Sequence, residues 1–139
     1  MIRFTICLAL ASVSPAHAGE LSRFEGKYVG CAVSADEWVP IATTLTVTGE
    51  TVSGDYVFIE TPGRWVPGKL ALAARGDDDR LVFSWSDVYG TGSASFVFSS
   101  DGARFDGFWT GTNGPDRYPW NGVRQGSGLV PPDCTAPVG

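Results

Sequence analysis

Few side chains in this sequence can do acid–base, nucleophilic or metal chemistry, and their positions matter more than their number. There is one histidine, His17, and there are three cysteines, Cys7, Cys31 and Cys134. His17 and Cys7 both fall in a segment with the marks of a secretory leader. Met1-Ile2-Arg3 is a short basic start, Phe4 to Ala11 is an uncharged apolar run, and Ala16-His17-Ala18 places small residues where a signal peptidase reads. The apolar run is shorter than the roughly 20 residues that a membrane-crossing helix needs. Residues 1–18 are therefore expected to leave, and the mature chain to begin at Gly19. That chain has no histidine, which excludes Ser-His-Asp and Cys-His mechanisms and a His-ligated zinc.

Carboxylates, aromatic rings and one hydroxyl-rich loop remain. Asp55, Asp87 and Asp106 are the types that serve as the acid–base pair of a glycosidase. Aspartates are spread so evenly, however, that any small fold brings some pair together. Asp77-Asp78-Asp79, with Asp101 and Asp106, offers the oxygens calcium takes, but without EF-hand spacing, and aspartates also favour turns. No catalytic residue, cofactor or metal is expected. Trp38, Trp65, Trp109 and Trp120 lie in or beside loops, whereas Trp85 lies mid-strand. Indoles at the mouth of a cavity suit an apolar or sugar-like ligand, since they offer contact area and a donor. The same rings can equally fill a core. The segment from Asp87 to Ser93 joins two aromatic strands through glycines and hydroxyls, so Tyr89, Gly90, Thr91, Gly92 and Ser93 are candidates for protein contact. An ordinary hairpin loop is the alternative.

These residues must be positioned by a small, acidic, exported domain. Loss of Arg3 takes the basic count from 10 to 9 against 15 acidic residues, a formal charge of −6, which disfavours nucleic acid as a partner. The short leader and the lack of glycosylation sequons suggest a bacterial, periplasmic or extracellular location, with no stable membrane insertion. In that oxidising compartment Cys31 and Cys134, the two cysteines left, are expected to pair. No 3.6-residue apolar period persists after Gly19, while short alternating runs recur between turn residues. Eight strands are expected, over 26–34, 41–48, 51–60, 69–75, 80–86, 93–99, 104–110 and 120–125. A longer loop is expected over 61–67, and further loops over 87–92 and 111–119. The fold class is all-β, an antiparallel meander that closes into a barrel or stays a strongly bent sheet. Residues 19–125 form the domain, and 126–139 are a Gly/Pro-rich tail tethered by Cys134.

Gly26-Lys27-Tyr28 on the first strand, with Arg124 on the last, resembles the opening and closing marks of the calycin barrels, the lipocalins and avidins. Val52-Ser53-Gly54-Asp55-Tyr56 and Phe105-Asp106-Gly107-Phe108-Trp109 are similar in texture to avidin strands. Tyr28 stands where the family has tryptophan, and the C-terminal helix of lipocalins is missing. The resemblance implies a ligand cavity without assigning its contacts. Separately, the loop from Asp87 to Ser93 resembles the Ser/Gly loop that small-barrel periplasmic lysozyme inhibitors push into an enzyme cleft. The expected function is non-catalytic binding of a small apolar or sugar-like ligand. The alternative is a protein-binding module of the cell envelope, such as a lysozyme-type inhibitor.

Overall fold

A computed structural model describes residues 20–77 and 79–135; the expected leader, and Asp78 of the acidic turn, lie outside the described residues. Eight strands follow one another in chain order: β1 (Gly26–Ser34), β2 (Glu37–Thr48), β3 (Thr51–Thr61), β4 (Arg64–Arg75), β5 (Arg80–Asp87), β6 (Gly90–Phe98), β7 (Arg104–Gly111) and β8 (Tyr118–Arg124). Each pairs antiparallel with the next, and β8 returns to β1, so the sheet is a closed barrel rather than an open one. Closure leaves no unpaired edge to recruit another chain.

Period-two alternation decides which side chains enter the lumen. Val39, Ile41, Thr43 and Leu45 of β2 are buried, as are Leu81, Phe83 and Trp85 of β5, and their odd-even neighbours face outward. Ala74 does not follow Leu70 inward. A register shift between Leu72 and Ala74 opposite β5 turns it outward, and it is exposed.

The strands run further than the turn residues suggested. The stretch 61–67 is not a loop. Thr61 pairs with Arg64, and Pro62-Gly63 forms the turn with Gly63 at φ 84°, a conformation glycine adopts without steric cost. Likewise 87–92 is not a loop: Asp87 pairs with Gly90 around Val88 and Tyr89, and β6 begins three residues early. β2 begins at Glu37 because Ala35 (φ 50°) and Asp36 (φ 63°) close a tight turn in the left-handed region, where an alanine gave no warning.

The two ends differ. At one, a helical turn over residues 20–24 lays Leu21 and Phe24, both fully buried, across the lumen. The Tyr28 hydroxyl shares its one proton between the carbonyls of Phe24 (2.9 Å) and Gly102 (3.0 Å), and Arg124 donates to that hydroxyl at 3.1 Å and to the Arg23 carbonyl. Burial of the ring pushes the Tyr28 phenol up, against the pull of Arg124. Tyr28 also packs edge-on against Phe98 and Phe105 at 5.7 and 5.3 Å.

Among the described residues the β1–β8 seam has the fewest paired positions. Its described pairs are Tyr28–Arg124, Val29–Val123 and Ala32–Trp120, and between them the Asn121 side chain accepts the Cys31 N–H at 2.9 Å. The disulfide Cys31–Cys134 lies on this strand, with Cα atoms 5.5 Å apart, and ties the described part of the tail to it.

Candidate functional site

The other end of the barrel carries four connections: the 35–36, 62–63 and 88–89 turns and the 112–117 loop. Between them opens a cavity of about 250 Å³, at the small end of ligand sites, which run from roughly 300 to 1,000 Å³.

The most buried of its indoles is Trp120 of β8. The indole N–H donates to the buried Thr43 hydroxyl at 3.1 Å, and the ring meets Tyr56 and Phe96 edge-on, both at 5.0 Å. Trp85 of β5 and Trp109 of β7 meet nearly at right angles, 5.5 Å apart. The Trp85 N–H donates to the Thr110 carbonyl and the Trp109 N–H to the Val33 carbonyl, each at 2.9 Å. Ile41 and Val39 of β2 and Phe58 of β3 complete the apolar wall.

Two glycines let these rings lie where they do. A Cβ on Gly68 would come within 2.0 Å of the Tyr56 ring. One on Gly92 would come within 1.9 Å of the Thr110 carbonyl oxygen and 2.6 Å of the Trp85 indole nitrogen.

The polar groups sit at the mouth. The Tyr56 hydroxyl donates to Asp87 Oδ2 at 2.7 Å, and Asp87 Oδ1 accepts the Tyr89 N–H at 2.8 Å. Burial, reinforced by the Asp87 bond, pushes the Tyr56 phenol far above its ordinary value of 10.0. The Tyr89 hydroxyl donates to Glu60 Oε1, a bond that raises its phenol too, and Arg64 pairs with Glu60 Oε2 at 2.7 Å. Ser34 and Ala35 line the β1–β2 side of the opening.

Of the expected aromatic residues, Trp109, Trp120 and Tyr89 line the cavity. Trp65 is 64% exposed on β4, and the half-buried Trp38 lies on β2 beside the inward Val39; neither lines the cavity. Trp85, mid-strand in the sequence, is a wall of it. Gly90, Thr91, Gly92 and Ser93 are the first residues of β6 rather than a loop. Asp55 and Asp106 are not gathered with Asp87: they are exposed, Asp55 pairing with Lys69 and Asp106 lying 3.9 Å from Arg104. Sequence reasoning missed Tyr56, Phe58 and Glu60. Their alternation on β3 was readable, but which strand ends meet at one mouth depends on register.

Among the described residues no three potential metal ligands cluster, and no helix is long and apolar enough to cross a membrane. Asp79 forms an ion pair with Arg23 at 2.6 Å. No family model matches this chain, and no curated protein is similar to it in sequence.

Proposed function

We propose that this barrel is an exported, non-catalytic binding protein that takes a small ligand with an apolar body into the cavity at its open end. The supporting observation is the cavity itself, walled by Trp85, Trp109, Trp120, Tyr56 and Phe58 while the opposite end of the barrel is plugged. Apolar walls with a few converging polar groups are what small-molecule sites have in common. The Cys31–Cys134 bond fits an oxidising compartment outside the cytoplasm. At the finer level the barrel is read as calycin-like. The contact between Tyr28 of β1 and Arg124 of β8 supports that reading, because it reproduces the strand-one to last-strand pairing the resemblance implies.

A second reading, contact with another envelope protein, draws on the rim. Trp65 at the start of β4 and Val88 and Tyr89 of the 88–89 turn are 64, 77 and 56% exposed at the mouth. Native mass spectrometry of the full chain, expressed with its leader and purified without denaturation, tests the first reading. A reproducible added mass that is lost on unfolding is expected. A bare protein whose melting temperature is moved by no member of a panel of small apolar and sugar compounds would overturn it and leave the rim reading standing.

A further inference from the structure

The cavity has a one-sided hydrogen-bond character. All three indole N–H groups that its walls contribute are spent on protein oxygens. Both phenol hydroxyls donate to carboxylates, Tyr56 to Asp87 and Tyr89 to Glu60. No lysine or arginine lines it, and of the lining side chains only the Ser34 hydroxyl keeps a donor not already engaged. What the lumen offers is therefore aromatic rings whose donors are spent and the remaining lone pairs of Asp87, Glu60 being already paired with Arg64.

A cation is attracted by both. An ammonium over an indole or phenol ring gains from the ring's negative face, more so where water is excluded, and a carboxylate supplies charge-assisted acceptors. A carboxylate ligand would meet like charge at Asp87, which no cation among the described residues pairs, and find almost no free donor, and a neutral donor-poor molecule gains only from the walls. From this geometry we infer that the ligand is an organic cation, an amine or quaternary ammonium on a small apolar or aromatic body, with its charge held at the Asp87 side of the mouth. This rests on the ligand-binding reading above and specifies the chemistry of the same site.

The test is a matched series of one ring and one chain with different charge: 2-phenylethylamine, 2-phenylethanol and 3-phenylpropionate, titrated calorimetrically into the full mature protein at low ionic strength. The amine is expected to bind about 10- to 30-fold more tightly than the alcohol, the scale of one desolvated cation–aromatic contact together with a carboxylate, and the acid to bind most weakly. In Asp87→Asn the amine and the alcohol are expected to converge while alcohol binding persists. Glu60→Gln is the second variant should Asp87→Asn fold poorly, judged by near-ultraviolet circular dichroism, and it should show a partial convergence. Equal or tighter binding of the alcohol or the acid would overturn the charge assignment and leave the ligand-binding reading intact. Binding by none of the three would also overturn it, with the wider reading then resting on the retained-mass measurement.

Discussion

Replacing Tyr56 with phenylalanine removes one hydroxyl from the cavity and keeps the ring that Gly68 makes room for. At pH 8 the loss is the bond to Asp87 Oδ2. A hydrogen bond to a charged acceptor contributes about 1.5–3 kcal/mol, and Asp87 keeps the Tyr89 N–H, so a loss of about 2 kcal/mol is expected. The pH dependence supplies an independent check. The folded protein holds the Tyr56 phenol neutral well above 10.0, through burial first and the Asp87 bond second. A raised folded value means that the unfolded chain ionises first as the solution becomes alkaline. The stabilisation is complete below pH 10 and is lost as pH climbs from 10 toward the folded value. At pH 11 ionisation favours the unfolded wild type by ~1.4 kcal/mol at this one site, and phenylalanine has no such term. The gap between the two proteins should therefore shrink from about 2 to about 0.6 kcal/mol, because every other titration is shared and cancels. Urea unfolding of both proteins, followed by tryptophan fluorescence at pH 8, 10 and 11, measures it. A gap that stays constant with pH would refute the neutral, buried phenol. A gap near zero at pH 8 would refute the contribution of the Asp87 bond.

Two further outcomes follow from the same geometry. Cys31→Ser with Cys134→Ser opens a link across 103 positions, for which the loop-entropy model gives about 4.7 kcal/mol; a fall in urea-derived stability of under about 1 kcal/mol would mean that the bond restrains little of the unfolded chain. Gly92→Ala pushes a methyl into the Thr110 carbonyl and the Trp85 indole nitrogen, and should cost about 1–3 kcal/mol while changing the near-ultraviolet tryptophan signal; an unperturbed variant would show that the Trp85–Thr110 bond does not depend on that glycine.

The barrel was legible because its signal is local. Ile41, Thr43 and Leu45, or Leu81, Phe83 and Trp85, declare an inward face within a few residues, and eight such runs joined by short connections allow closure. The turns were harder to read. Prolines and glycines in 61–67 look like strand breakers, yet Pro62-Gly63 makes a tight turn, and Pro67 sits inside the ladder opposite Val57. Within β2, β4 and β8, Pro40, Pro67 and Pro119 all fall in the first four residues, at the open end, where a missing donor disturbs the least ladder. The plug was not legible either: a single helical turn is too short to show a period, so nothing marked Leu21 and Phe24 as the residues that close one end. The site fell between these cases. Asp87 was noted only as one of three evenly spread aspartates, and its partners Tyr56 and Tyr89 lie 31 and 2 residues away. Only the register of β3, β4 and β5 brings all three to one mouth.

The contrast between the two ends bears on why the cavity stays open. Both ends are rich in aromatic rings, and rings left to themselves close a small lumen, because contact between them gains dispersion and removes apolar surface from water. At the plugged end that has happened: Phe96 and Phe105 stack at 4.1 Å, and Phe24 lies 4.7 Å from Phe98. At the open end each indole that walls the cavity is tied to a different strand from its own, Trp85 of β5 to β7, Trp109 of β7 to β1, and Trp120 of β8 to β2. A ring anchored through its N–H to the wall cannot swing across the lumen without leaving a buried donor unpaired, which costs about 1–3 kcal/mol. The three bonds fix the rings against the wall, and they spend the donors that would otherwise have made the cavity welcoming to an anion.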